Sequence, residues 1–172
     1  MKVYPSTHVR NVAVMSHQGA GKTSLTESMI FDTGATSRLG KVSDGNTVSD
    51  YHPEEIKRQI SVNTSLVACE WKDHKINLLD VPGFADFFGE TESSIRVADS
   101  ILMILDSVAG VEVRTEIIWD LADENNTPCM AFINKMDREN ADFEKALDSM
   151  QTKLTRQIVP VQLPIGKEAG FK

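Results

Sequence analysis

The chain has 172 residues, 41% of them hydrophobic and 25% charged, with a formal net charge of −7. That length supports one domain with a sizeable core, and the composition is that of a globular chain, not a disordered one. The negative balance disfavours a broad basic face for nucleic acid, and no run of about 18 apolar residues is present to cross a membrane.

The two cysteines, Cys69 and Cys129, make no C-x-x-C pair, so reduced core thiols of a cytoplasmic protein are expected instead of a disulfide framework.

Residues 1–9 read as a polar lead-in. Val12, Ala13, Val14 and Met15 form a short apolar run that predicts a buried strand. Ser16-His17-Gln18-Gly19-Ala20-Gly21-Lys22-Thr23 follows, and then Ser24 opens a helix over 24–31 that Gly34 can close. Strand, glycine-bearing loop, Gly-Lys-Thr and helix are the context of a phosphate-binding loop. Such a loop needs backbone N–H groups converging on phosphate oxygens, so side chains must stay clear at Gly19 and Gly21. The positive end of the helix dipole points at the same phosphates. Lys22 would reach the β- and γ-phosphates as a point charge, and the Thr23 hydroxyl would ligate Mg²⁺. Ser16 stands where the pattern G-x-x-x-x-G-K-T has its first glycine. Serine is small enough for the loop to close.

Residues 35–60 show no clear period, which is expected of a functional or mobile connection. Residues 60–71 and 75–79 read as two strands of an antiparallel hairpin, joined by the polar Lys72-Asp73-His74. Asp80-Val81-Pro82-Gly83 closes the second strand. A helix is expected within 84–98 with Ile95 and Ala98 turned inward, and a buried strand over 101–105. A helix over 112–124 would put Ile117, Ile118, Leu121 and Ala122 on one face. A strand over 130–133 ends in Asn134-Lys135-Met136-Asp137. Asn140 can cap a further helix, whose apolar positions are Phe143, Ala146, Leu147, Met150 and Leu154. Residues 158–165 read as a last strand, short or at an edge because of Pro160 and Pro164. Strands alternating with helices predict a three-layer α/β fold with a mostly parallel sheet. The motifs at 16–23, 80–83 and 134–137 each follow a strand, so the carboxyl rim of the sheet would gather them.

Each motif has a chemical reading beside a plainer one. Asp80 either caps a turn or holds Mg²⁺ through a water, with the Gly83 N–H meeting the γ-phosphate. The carboxylate of Asp137 can accept hydrogen bonds from guanine N1–H and the 2-amino group, which adenine lacks. The Asn134 amide can steady the loop and face the guanine carbonyl side, and the Lys135 stem can cover one face of the ring. Otherwise the quartet is a polar lead into a helix.

Together these residues resemble the nucleotide-binding domain of translational GTPases, and most closely the elongation factor G family. The similarity covers nearly the whole chain. It runs through Gly-Lys-Thr at 21–23, Cys69-Glu70-Trp71, Asp80-Val81-Pro82-Gly83, Ala109-Gly110-Val111-Glu112, Asn134-Lys135-Met136-Asp137-Arg138 and Leu163-Pro164-Ile165-Gly166. The resemblance implies a P-loop G domain that binds GTP and GDP with Mg²⁺ and serves as a switch on the ribosome. The segments 35–60 and 80–95 would be its two switches, ordering around the γ-phosphate and relaxing after hydrolysis. The residues implied to bind nucleotide are Ser16 through Ser24, Asp80, Gly83, Asn134, Lys135 and Asp137. Thr23, Ser61 and, through a water, Asp80 would hold the metal. Ser61 takes the place of the family's threonine.

Two departures matter. Gly19 stands where the family carries an aspartate, and Phe84 stands where it carries the histidine that orients the attacking water. Lys22 and Gly83 would keep their catalytic roles, whereas Phe84 can neither donate nor accept a hydrogen bond. The chain is therefore expected to be the first part, 1–172, of a divergent elongation factor G-like protein. It is expected to be cut before the last strand and helix of its G domain, with ribosome contacts made by domains beyond it. No sequence-specific nucleic-acid binding and no membrane contact are expected of the chain itself. Two other readings compete: a guanine-nucleotide sensor that turns over slowly or not at all, and an unrelated P-loop ATPase or kinase, against which residues 134–137 argue.

Overall fold

The structure is a computed structural model that describes residues 2–155 and 157–172. Its centre is β1 (Val9–Met15), whose apolar residues alternate between two covered faces. Ala13 and Met15 point into one core, and Val14 points into the other. Four more strands complete a sheet in the order β2-β3-β1-β4-β5, with β2 at Ser65–Trp71, β3 at His74–Asp80, β4 at Ser100–Asp106 and β5 at Cys129–Asn134. β1 runs parallel to β3 and β4, and β4 runs parallel to β5. Only β2 is antiparallel, paired with β3 from Ser65↔Asp80 to Trp71↔His74. Lys72 and Asp73, at φ 45° and 61°, make the two-residue turn between them. The mostly parallel sheet with one antiparallel hairpin strand is as the sequence predicts.

Helix α1 (Lys22–Asp32) covers one face over Val14, Val67, Cys69, Leu78 and Ile104. It ends as expected at Gly34, whose φ of 73° lets the Ala35 N–H return to the Ile30 carbonyl at 2.9 Å. On the other face, α3 (Phe88–Ile95), α4 (Val113–Glu124) and α5 (Phe143–Lys153) bury Ile95, Ile118, Ala122 and Met150 against Ala13, Met15, Ile101, Met103 and Leu105.

The structure departs from the sequence expectations at several places. The strand expected over 60–71 begins only at Ser65. Upstream, carboxylates take the backbone donors that a ladder would have used: Val62 and Asn63 donate to Glu55 Oε1 at 2.9 and 3.1 Å, and Thr64 donates to Glu90 Oε2 at 2.7 Å. The segment 35–60 is not shapeless. It contains a 3-10 turn (Val42–Asp44) and a short helix, α2 (Pro53–Arg58), with Pro53 in the first turn and Glu55 accepting from the His52 N–H at 3.1 Å. Ile117 is 40% exposed, so the buried face of α4 runs through Ile118 and Ala122 without it.

The residue that caps α5 is Asp142, accepting from the Lys145 N–H at 3.0 Å. Asn140 does not cap. It turns left-handed at φ 65° and donates its N–H to Glu168 Oε1 at 2.9 Å. The expected strand over 158–165 does not form: Pro160 and Pro164 remove two ladder donors, and Val159, Val161, Leu163 and Ile165 are exposed. Among the described residues β5 is consequently an edge strand. Met130 and Phe132, 57% and 40% exposed, lie beside Leu102 and Ile104 on the face that α1 leaves uncovered at this edge.

Candidate nucleotide-binding site

The ends of β1, β3 and β5 bring the three polar motifs to one rim, since Val14 pairs with Asp80 and Asp106 pairs with Asn134. After Met15 the chain turns through residues 16–21 into α1. Gly19 and Gly21 take φ of 75° and 101°, the left-handed backbone that the turn demands. Gly21 has a second constraint, because a Cβ there would strike the Asn134 side-chain amide. That amide donates to the Ala20 carbonyl at 2.9 Å, so the loop after β5 steadies the loop after β1. Lys22 and Thr23 lie in the first turn of α1, both buried, while Gln18, Gly19 and Ser24 are exposed.

Ser16 has a definite task. Its Oγ donates to the His17 carbonyl at 2.6 Å and accepts from the Lys22 ammonium at 3.2 Å. Lys22 also reaches the His17 carbonyl at 3.5 Å. Burial drives the Lys22 pKa down to about 8; Asp80 pulls it back up, Arg114 lowers it further and Asp50 raises it. His17 Nε2 sits 3.4 Å from Glu112, at the start of α4, and its buried Nδ1 meets no protein partner.

The residues fit a divalent cation. The Thr23 and Ser61 hydroxyls are 3.3 Å apart. Asp80 is fully buried, and among the described residues neither of its carboxylate oxygens has a hydrogen-bond partner, although the Thr23 and Ser49 hydroxyls lie beside it. Burial raises its pKa to about 6, against the pull of Thr23, Lys22 and Ser49 and with the repulsion of Asp50. Two buried orphan acceptors beside two hydroxyls are what a hard cation or its water shell would satisfy. Asp50 belongs to this cluster and was not evident in the sequence. It is buried near the Ser61 hydroxyl, and its pKa is raised mainly by burial.

Gly83 packs against the phosphate loop, where a Cβ would stand 3.0 Å from the Gln18 Cα. Phe84 follows half-buried in an extended conformation and leads into a 3-10 turn (Ala85–Phe87) before α3. On the far side, Lys135 has protein partners that the sequence did not suggest. Its ammonium donates to the Gly19 carbonyl and to Asp106 Oδ2, the latter at 2.8 Å, tying the phosphate loop to β4. Burial pushes the Asp106 carboxyl up, but Lys135 and the Val108 and Ala109 N–H groups outweigh it and hold the group below the usual range. Asp106 ends a strand on the same rim as Asp80, a signal that the sequence did offer. Asp137 is exposed on the turn beyond, with its carboxylate open to solvent.

Residues 7–167 match the family described as the elongation factor Tu GTP binding domain. The chain is 45% identical over 171 residues to elongation factor G 2 of Streptomyces coelicolor, covering 99% of this chain and 25% of that protein. It is 45% identical over 163 residues to elongation factor G of Granulibacter bethesdensis, covering 95% and 24%. It is also 45% identical over 165 residues to the mitochondrial ribosome-releasing factor 2 of Drosophila melanogaster, covering 96% and 22%. A crystal structure of a Thermus thermophilus protein superposes with a TM-score of 0.90 at 34% identity, covering 96% of this chain and 25% of that one. The chain thus spans about a quarter of the length of these relatives. With a phosphate loop, a Pro-Gly turn and an Asn-Lys-x-Asp turn on one rim of a parallel sheet, the chain belongs to the elongation factor Tu GTP-binding domain family and is elongation factor G-like.

Proposed function

We propose that the chain binds GTP and GDP with Mg²⁺ and hydrolyses GTP as the switch of a cytoplasmic, ribosome-associated, elongation factor G-like protein. The observation that carries this reading is the joining of the phosphate and base loops: Asn134 holds Ala20, and Lys135 holds Gly19. The base turn thereby sits at a fixed distance from the phosphate loop. Gly19, Ala20, Gly21 and the first turn of α1 supply N–H groups to the phosphates, and Lys22 and Ser16 shape the charge at their far end. Mg²⁺ held by Thr23 and Ser61, with Asp80 and Asp50 behind them, would neutralise phosphate charge. Asp137 reads guanine. Ribosome association rests on the names of the relatives, among them two elongation factors G and a ribosome-releasing factor. Those relatives lend no support to a sensor that never hydrolyses.

The test is competition binding on the chain in Mg²⁺. GDP and GTP should displace a fluorescent guanine nucleotide, and ATP should fail. In Asp137→Asn a donor replaces an acceptor opposite the 2-position, so the preference should move to xanthine nucleotides, by a factor on the order of 10⁴ if the pairing is fully buried. Equal affinity for ATP and GTP would sink the assignment.

A further inference from the structure

Arg114 is a buried charge that makes no hydrogen bond within the nucleotide site, although it lies close enough to Lys22 to lower the pKa of that ammonium. It lies in the first turn of α4 and is 5% exposed. Among the described residues no carboxylate pairs with it. Its Nη2 donates to Thr91 Oγ1 at 2.7 Å, its guanidinium carbon sits 5.5 Å from the centre of the Phe88 ring, and its Nε–H is buried with no partner. Phe88 and Thr91 are one turn apart on α3, so these contacts present the guanidinium to one face of that helix. A buried cation answered only by a hydroxyl and a ring face is a costly device for packing two helices, since an apolar side chain would do that alone. The start of α4 also carries the contact of Glu112 with His17 in the phosphate loop. Two residues of one helix start therefore reach the phosphate loop and α3.

We propose that Arg114 is a positioning residue of the nucleotide site. It fixes α3, and through α3 the Gly83–Phe84 peptide, against the phosphate loop. The link from α3 to that peptide is short and stiff: the 3-10 turn between them is closed by the Phe87 N–H on the Phe84 carbonyl at 3.2 Å. The proposal rests on the GTP-hydrolysis reading for its consequence, and on geometry alone for the tie between Arg114 and α3.

Two variants of the chain separate these layers. Arg114→Gln removes the charge, and Thr91→Val removes its acceptor from the α3 side with little change of shape. Hydrogen exchange over residues 88–95, measured without nucleotide, should quicken in both, by about tenfold in Arg114→Gln, within the range for residues that act through a packed element. Single-turnover GTP hydrolysis at pH 7, where the Lys22 ammonium is intact in either chain, should fall by a similar factor, with GDP affinity within about twofold of wild type, and Arg114→Lys should recover part of the rate. Unchanged exchange in both variants overturns the proposal, and so does hydrolysis that falls only in step with GDP affinity. Absence of guanine-nucleotide binding by the wild type would instead refute the functional reading, leaving the exchange measurement to decide the role of Arg114.

Discussion

Lys22 carries a pH dependence whose sign follows from its burial. With its pKa lowered to about 8 by burial, the ammonium is intact at neutral pH and is lost as pH rises past 8. Bound phosphates would keep it protonated, so above pH 8 binding must take up a proton. GDP affinity should be level from about pH 7 to 8 and then weaken, approaching tenfold per pH unit; titration calorimetry in buffers of differing ionisation heat would show the uptake. A level affinity through pH 9 would contradict this. For folding the sign differs: the native pKa lies below the unfolded value of 10.5, so burying the charge costs stability below pH 8, and that cost fades between 8 and 10.5. Phe84 makes the second prediction at this scale. On the proposed GTP reading it would lie at the phosphate end, where its ring has no hydrogen-bonding atom to orient a nucleophile, and a positioned proton-transfer group contributes about 10²–10⁴ in rate. Phe84→His should speed single-turnover hydrolysis while GTP affinity stays similar; a wild type that already turns over as fast as the variant would show that Phe84 does not limit the rate.

Among the elements, the segment 35–60 was least legible. Its attachment depends on two buried acids, Glu27 and Glu55, whose partners are backbone N–H groups, and periodicity carries no trace of such pairs. Glu27 Oε1 accepts from the Val48 N–H at 2.6 Å, and a Cβ on Gly40 would collide with its other oxygen. Glu55 gathers three N–H groups and so sets the path that brings Ser61 to Thr23. The helix α2 had a readable start in Pro53-Glu54-Glu55, a proline followed by acids. Glu27→Ala leaves the Val48 donor without its acceptor, at a cost of about 1–3 kcal/mol. Amide exchange over 47–50 should rise sharply in that variant while the strands stay protected. Even exchange across the chain would show that Glu27 does not anchor the segment.

For the molecule as a whole, the sheet and the rim were legible because they rest on local signals. Apolar runs mark β1 and β4, and a polar turn with no glycine still gave the hairpin between β2 and β3. The last expected strand failed for the opposite reason: 158–165 alternates like a strand, but pairing is a property of neighbours, and its prolines withhold the donors. Asp50 and Arg114 escaped because their meaning lies in what folding sets beside them, whereas Asp106 stood in plain view at the end of an apolar strand.

The place of β1 at the middle of the sheet also has a consequence in time. Its two neighbours are β3 and β4, so its edges stay open during synthesis until residues 74–106 have emerged. The loop at 16–21 then still lacks Asn134 and Lys135, which support it from later in the chain. A nascent chain halted before residue 129 would therefore hold β4, an apolar strand, with one edge unpaired and open to misassembly. The phosphate and base loops would be joined only after β5 and the turn after it clear the exit tunnel.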